Sequence, residues 1–173
     1  MHVEQDRYSS HYIEGTQIAA TFSSTSTKWE RQLGYSAGVY GTLGQPGAGN
    51  VPGGRYSVAG QWIDHSGNLW LFGGVGFDST GAYLGLLNDL WMYNPSTNQW
   101  TWMSGSNTIP CYACAQPGMY GTLGTAAITN VPGGRYSSGI MIDSKGNFWL
   151  FGGFGADANG NLFDNNDLWR YQH

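Results

Sequence analysis

Charged residues are scarce in this sequence, since Lys, Arg, Asp and Glu make up 10% of its 173 residues. The seven basic residues are scattered and are outnumbered by eleven acidic ones. Nucleic-acid binding requires a clustered basic surface, so nucleic acid is not an expected partner. No apolar run reaches the roughly 18 residues of a membrane-spanning helix, and residues 1–15 carry acids and histidines where a signal peptide has its apolar core. Membrane insertion is therefore not expected, and the sequence itself indicates no compartment.

Glycine and aromatic residues are abundant instead. The chain has 28 Gly, 8 Trp, 11 Tyr and 7 Phe. Low charge and high glycine content can accompany disorder, but disordered segments are poor in aromatic residues. We therefore predict a folded chain built from strands and turns, because aromatic side chains favour strands and glycine favours turns.

The sequence repeats itself with a period of 78 to 80 residues. The matching segments are GVYGTLG at 38–44 and GMYGTLG at 118–124, NVPGGRYS at 50–57 and 130–137, GNLWLFGG at 67–74 and GNFWLFGG at 146–153, and NDLWMY at 88–93 and NDLWRY at 166–171. A fixed period of this kind is typical of repeat architectures.

Each repeat unit is predicted to be a four-stranded antiparallel meander. In the first unit the predicted strands are Arg55–Ile63, Asn68–Gly74, Asp89–Tyr93 and Gln99–Met103, separated by turn-forming residues. The second of these strands, NLWLFGG, has no polar–apolar alternation, which indicates that both of its faces are buried. Sheets stacked around an axis, as in a β-propeller, satisfy this requirement better than a two-layer sandwich, whose strands alternate more cleanly.

Two glycine doublets, Gly73-Gly74 and Gly152-Gly153, close the apolar strand of each copy, and in the first copy six residues separate Tyr93 from Trp100. This combination resembles the kelch motif. The long unit is similar to that of long-repeat kelch proteins of bacteria, many of which are exported, and to the central domain of galactose oxidase. The resemblance implies all-β blades of a kelch-type β-propeller with an incomplete ring, and it favours an extracellular or periplasmic location.

The resemblance divides the chain into three parts. Residues 1–29 are expected to be a degenerate segment with the closing hairpin of a preceding blade, residues 30–103 a complete blade, and residues 104–173 a second blade that lacks its last strand. The hairpin Gln17–Trp29 could supply that strand between chains. Self-association that completes the ring is therefore expected, because the flanks of an incomplete ring expose apolar faces and strand edges.

The doublets and the recurring tryptophans are assigned structural roles. A glycine doublet permits positive φ and close backbone approach. The tryptophan pairs Trp70/Trp149, Trp91/Trp169 and Trp29/Trp100 recur at fixed places in the unit. We expect them to pack between blades, with stacking against sugar rings as the alternative.

Two glycine- and aspartate-rich segments imitate ligand-binding motifs. Gly153–Ala158 fits the dinucleotide pattern G-x-G-x-x-[GA], but the helix breakers that follow exclude the helix that would hold a pyrophosphate. Asp157–Asn161 begins like a calcium loop, but Leu162 and Leu168 stand where that loop needs Gly and Glu. A hydrogen-bonding turn is the preferred interpretation, and an irregular calcium site is the alternative.

Cys111 and Cys114 lie in a nine-residue insertion that the front of the chain lacks. One C-x-x-C pair supplies half the ligands of a structural zinc site, and no second pair exists. A redox motif would need a βαβ context. A local disulfide is the leading interpretation, followed by two free thiols and by metal or redox chemistry.

No catalytic constellation is predicted. The histidines at positions 2, 11, 65 and 173 do not recur and have no carboxylate or nucleophile at a suggestive spacing. The recurring acids, Asp64/Asp143 and Asp89/Asp167, are interpreted as acceptors that fix loops. Galactose oxidase holds copper with tyrosines and histidines, but no motif here matches those ligands.

We therefore interpret the chain as a non-catalytic binding or scaffolding module with no catalytic, cofactor-binding or metal-binding residue. The expected contact surface is formed by three long loops, Gly38–Pro52, Val75–Leu87 and Ser104–Pro132. The ligand is an unidentified protein or carbohydrate. The alternative is a fragment of a larger propeller enzyme, a copper oxidase or a glycan-active enzyme, whose catalytic residues lie outside this chain.

Overall fold

The computed structural model describes residues 37–111 and 113–173, and its regular elements are β-strands. The strands are β1 (Arg55–Tyr56), β2 (Gly60–Ile63), β3 (Leu69–Phe77), β4 (Leu84–Asn94), β5 (Gln99–Ser104), β6 (Arg135–Tyr136), β7 (Gly139–Ile142), β8 (Phe148–Ala156) and β9 (Leu162–Tyr171). The all-β prediction is confirmed for these residues. Within the same ranges, no helix is long and apolar enough to cross a membrane. The hairpin Gln17–Trp29 and the whole of the proposed segment 1–29 lie outside the described residues.

The first sheet is an antiparallel meander of β3, β4 and β5, with β1 and β2 together filling the fourth position. β2 pairs with the first half of β3, and β1 pairs with its second half. The predicted strand Arg55–Ile63 is thus split in two. The split lies at Ser57, which has a φ of 48°. It faces a bulge of β3 at the glycine doublet, where a Cβ on Gly74 would lie 3.0 Å from the Tyr56 carbonyl oxygen.

The boundaries of β3 and β4 correct one prediction. Residues 75–87 were expected to form a long loop, but residues 74–77 pair with residues 84–87, so only residues 78–83 connect the strands. The polar turn formers of that segment are confined to Asp78–Gly81. The apolar Leu84, Leu86 and Leu87 therefore extend the hairpin beyond the doublet.

The second sheet repeats the arrangement with one strand fewer. β6 and β7 pair with β8, and β8 pairs with β9. Both copies have a register shift at the glycine doublet. Among the described residues β9 pairs only with β8, so the counterpart of β5 is not found there.

The two sheets pack face to face, and the main core lies between them. Phe148 of the second sheet stacks on Trp62 of the first at a centroid distance of 5.2 Å and contacts Trp70 edge-on at 5.1 Å. Phe72 and Leu90 belong to the same core. On the opposite face of the first sheet, a second core contains the residues Tyr40, Leu71, Trp91, Tyr93 and Trp100.

The central strand of the first sheet is thus buried on both faces, as its sequence predicts. The equivalent tryptophans Trp70 and Trp149 lie in different environments. Trp70 packs between the sheets, whereas Trp149 is half-buried beneath the guanidinium of Arg170 at 5.6 Å. The described residues form two stacked sheets and no closed ring of sheets.

Candidate functional site

The carboxylate of Asp89 on β4 is the centre of a buried polar network. Arg55 of β1 donates two hydrogen bonds to it, with nitrogen–oxygen distances of 2.6 and 2.8 Å. The Tyr40 hydroxyl donates at 2.6 Å, and the Trp91 indole nitrogen donates at 2.7 Å. The side chains of Arg55 and Asp89 are 5% and 0% exposed. Four donor groups from the protein therefore engage the two carboxylate oxygens.

The same arginine fixes the backbone around the glycine doublet. Its Nε donates to the Gly53 carbonyl at 3.1 Å, and one terminal nitrogen donates to the Gly73 carbonyl at 3.2 Å. Arg55 thus ties β1 to β4 across β3. A buried charge is stable only when it is paired and hydrogen-bonded, and this geometry meets both conditions.

The electrostatics of the network fix the protonation states of Tyr40 and Arg55. Burial raises the pKa of Tyr40 well above its usual value, and the negative charge of Asp89 adds to that rise. Burial alone would lower the pKa of Arg55, but the Asp89 carboxylate outweighs it and the net pKa is raised. Tyr40 therefore remains a neutral donor and Arg55 remains a cation.

The second sheet carries the same network in a more open setting. Arg135 donates to Asp167 at 2.5 and 2.9 Å, Tyr120 at 2.8 Å and Trp169 at 2.7 Å. The Asp167 side chain is 19% exposed. Burial raises its pKa, but the hydrogen bonds from Arg135 and Trp169 outweigh burial and the net pKa lies below the usual value.

Asp64 and Asp143 cap a turn in each repeat. Asp64 accepts hydrogen bonds from the backbone of Ser66 and Asn68, from the Asn68 amide and from the Trp70 indole, at 2.8 to 2.9 Å. Burial raises the pKa of Asp64, but these hydrogen bonds together outweigh burial, and the net pKa lies below the usual value. In the second copy the bonds from the side chains of Asn147 and Trp149 hold the pKa of Asp143 far below its usual value.

The recurring acids are thus acceptors that fix turns and strands, as predicted. The sequence interpretation missed Arg55 and Tyr40, with their counterparts Arg135 and Tyr120. Both arginines lie in an eight-residue segment that is identical in the two copies, and only seven basic residues exist in the chain. The recurrence of an arginine in an identical segment, in a chain with so few basic residues, could have indicated that this arginine has a structural or functional role.

An open cleft of about 260 Å³ lies beside the start of β9. Its lining residues are Tyr120, Asp157, Ala158, Asn159, Phe163, Asn165, Asn166 and Asp167. Asp157 accepts hydrogen bonds from the Asn159 and Asn161 backbone at 2.8 Å and from the Asn161 amide at 3.1 Å, which is the predicted turn. In residues 37–111 and 113–173, no group of three or more His, Cys, Asp or Glu residues is placed to hold a metal ion.

The corresponding place on the first sheet is filled by the segment that contains the nine-residue insertion. The backbone N–H of Ile109 donates to Asp78 at 3.0 Å, and that of Ser106 donates to the Asn88 side chain at 2.9 Å. Leu86 of β4 donates its N–H to the Cys114 carbonyl at 2.8 Å. The insertion therefore covers the outer edge of β4 where the second sheet leaves a cleft.

The remaining candidates of the sequence have structural places. Cys111 and Cys114 are joined in a disulfide within the insertion, as predicted. Gly153–Ala158 forms the end of β8 and a turn, without the helix that dinucleotide binding needs. His173 stacks on Phe148 at 4.6 Å. The histidines at positions 2 and 11 lie outside the described residues.

Comparison with known proteins adds no assignment to this geometry. No protein-family model matches the sequence, and none of the curated proteins matches it either. The repeated networks and the cleft, together with an edge of the second sheet that no described residue covers, are the features that bear on function.

Proposed function

We propose that the chain is a non-catalytic binding or scaffolding module built from two neighbouring blades of a kelch-type β-propeller. Two features support the blade assignment: the sheets repeat with glycine doublets at equivalent positions, and they stack through a shared apolar core. Radial stacking of such sheets is the architecture of propellers.

The observation that carries the non-catalytic role is the saturation of the recurring acids. A general acid or base must present a lone pair or a proton to the substrate. The carboxylates of Asp64, Asp89, Asp143 and Asp167 instead accept four hydrogen bonds each from neighbouring protein groups. These acids stabilise the scaffold that positions the loops.

The binding surface comprises segments 38–52 and 104–132 together with the cleft beside β9. Phe163 offers an exposed ring there, and Asn159 and Asn166 offer amide groups. An apolar ring surrounded by a few convergent polar groups suits a protein or carbohydrate ligand. The ligand remains to be identified by experiment.

A glycan array and a phage-displayed peptide library are the probes that test this role. We expect selected ligands to lose at least tenfold in affinity in a Phe163→Ala variant, because the ring supplies the cleft's apolar surface. Ile63→Ala, which shortens an exposed apolar side chain outside the cleft, is the control and should bind normally. Glycan cleavage or copper-dependent oxidation by the purified chain, abolished by a single substitution, would overturn the non-catalytic role.

A further inference from the structure

Residues 105–116, the covering segment, are attached to the first sheet at two separate places. The first attachment is the Ile109 N–H, which donates to the buried Asp78 carboxylate at 3.0 Å. The second is residues 113–116, which run parallel to the outer edge of β4 and form backbone hydrogen bonds with it. The disulfide closes the turn that joins the two attachments.

The second attachment also reaches the second sheet. The Leu86 N–H donates to the Cys114 carbonyl at 2.8 Å, and the Gln116 N–H donates to the Leu86 carbonyl at 3.0 Å. The Gly134 N–H, just before β6, then donates to the Gln116 carbonyl at 2.7 Å. Ala115 is buried in a small core with residues of both sheets. Detachment of this part of the chain would therefore uncover the edge of β4 and remove a link between the sheets.

The edge of β4 is adapted to this attachment. A Cβ on Gly85 would lie 2.3 Å from the Cys114 carbonyl oxygen, so the close approach of the two backbones requires glycine. Phe163 stands at the equivalent position of β9, and a side chain of that size excludes the same contact. The covering segment and the edge that it covers are therefore matched to each other.

The turn that leads into the second attachment is closed twice. The Cys114 N–H donates to the Cys111 carbonyl at 3.2 Å, and the disulfide joins the same two residues. Within the turn Ala113 has a φ of 58°, a left-handed conformation that is unfavourable for a residue with a Cβ. The disulfide holds Ala113 in this conformation, and a chain without the disulfide can relax. Cys111 is exposed, so a small thiol can reach its sulfur.

We propose that the disulfide is a redox switch that controls whether residues 113–116 remain attached to β4. The co-reactant is a dithiol, and the reaction is thiol–disulfide exchange. One thiolate of the dithiol attacks the Sγ of Cys111, and Cys114 leaves as a thiolate that takes up a proton. The second thiolate of the dithiol then displaces Cys111, which gives two protein thiols and a dithiol oxidised to its own disulfide. The attachment at Ile109 does not depend on the turn and remains in place.

The test is hydrogen exchange of the whole protein, resolved by residue, with and without dithiothreitol. The chain has only two cysteines, so the reagent acts on no other disulfide within it. Reduction should accelerate exchange of the Leu86, Gln116 and Gly134 amides by about tenfold, the effect expected for opening so short a covalent loop. The Ile109 amide and the amides of β8 should keep their protection. Unchanged exchange at Leu86 and Gly134, or equal acceleration in all strands, would overturn the proposal.

Two variants separate the disulfide from the turn. The double variant Cys111→Ser/Cys114→Ser should show the fast exchange of the reduced protein and no response to dithiothreitol. A serine variant that keeps the exchange pattern of the oxidised chain would contradict the switch. Ala113→Gly removes the cost of the left-handed conformation, so its Leu86 amide should lose less protection on reduction than that of the native chain. Equal losses in both would show that relaxation of the turn does not drive detachment.

Discussion

Phe72 and Phe151 stand at the same position in two copies of one repeat, yet their relative exposures are 4% and 52%. Leu90 and Leu168 form a second such pair, with relative exposures of 5% and 61%. The sheets share their register, their glycine doublets and their Arg–Asp pair, so the difference comes from the neighbour of each sheet. The second sheet covers the first, and no described residue covers the outer face of the second.

The polar network of the second sheet is also more exposed to solvent than that of the first. The Asp89 carboxylate is sealed, whereas the Asp167 carboxylate has partial contact with solvent. Segment 38–52 donates backbone hydrogen bonds to β5, whereas the described residues place no strand beside segment 118–132 at the corresponding position. Identical side chains are therefore expected to contribute unequally to stability.

The largest effect is expected from removing one charge of the buried pair. Asp89→Asn should lower the free energy of unfolding by about 4 kcal/mol, because it leaves Arg55 buried without its counter-ion. Asp167→Asn should cost about half as much, since solvent compensates part of the charge. Urea denaturation measures both. Asp157→Asn, in an exposed turn, is the control, and equal losses at Asp89 and Asp167 would contradict the difference in burial.

Truncating the equivalent phenylalanines tests the packing directly. Phe72→Ala should destabilise the fold by about 3 kcal/mol, as for other buried phenylalanines. Phe151→Ala should change stability by less than about 0.5 kcal/mol, as for other exposed positions. A large loss at Phe151 would show that its face is covered in solution.

The tyrosines give the comparison a pH dependence. Tyr40→Phe should cost about 2 kcal/mol at neutral pH, because a buried hydrogen bond to a charged group is lost, and Tyr120→Phe should cost less. Burial and the charge of Asp89 raise the pKa of Tyr40 in the folded state above the usual 10.0. Its contribution is therefore complete below pH 10 and is lost as the pH rises through the folded pKa. The midpoint temperature of thermal unfolding should therefore fall more steeply above pH 10 for the native chain than for the Tyr40→Phe variant.

The disulfide lies in the segment that covers the edge of β4 in the first sheet. Replacing Cys111 and Cys114 by serine should cost less than about 2 kcal/mol, because the closed loop is short. Mass spectrometry of the native protein should find no alkylatable thiol at either position. Two reactive thiols after oxidative folding would refute the bridge.

The smallest effect concerns association of the uncovered face. The exposed apolar surface around Phe151 should cause weak, concentration-dependent self-association, measured by light scattering during size exclusion. Phe151→Asp should reduce it. Leu123→Asp, on a fully exposed loop residue, separates the sheet face from general surface hydrophobicity. A native chain that stays monomeric at all concentrations would contradict the expectation.

The features that repeat were predictable from the sequence, and those that depend on neighbours were not. The doublets predicted positive φ and close backbone approach, and the unalternating strand NLWLFGG predicted the two-sided burial. The bulge at the doublet, and the continuation of β3 beyond it, were not predicted. The network around Asp89 was not predicted, because Arg55 and Tyr40 lie 34 and 49 positions away and no periodicity specifies which strands bring them together. The cleft lies where, among the described residues, no segment covers the second sheet as the insertion covers the first, and such a contact has no periodicity in the sequence.

The ion pairs also bear on how the chain folds. Arg55 and Asp89 are 34 positions apart, and Arg135 and Asp167 are 32 apart, so each pair closes within its own repeat. Loops of this length cost little more chain entropy to close than shorter ones. Each repeat therefore contains both partners of its own ion pair. A duplication of the unit adds a sheet together with the buried pair that fixes its strands, and a protein of this design can lengthen by whole units.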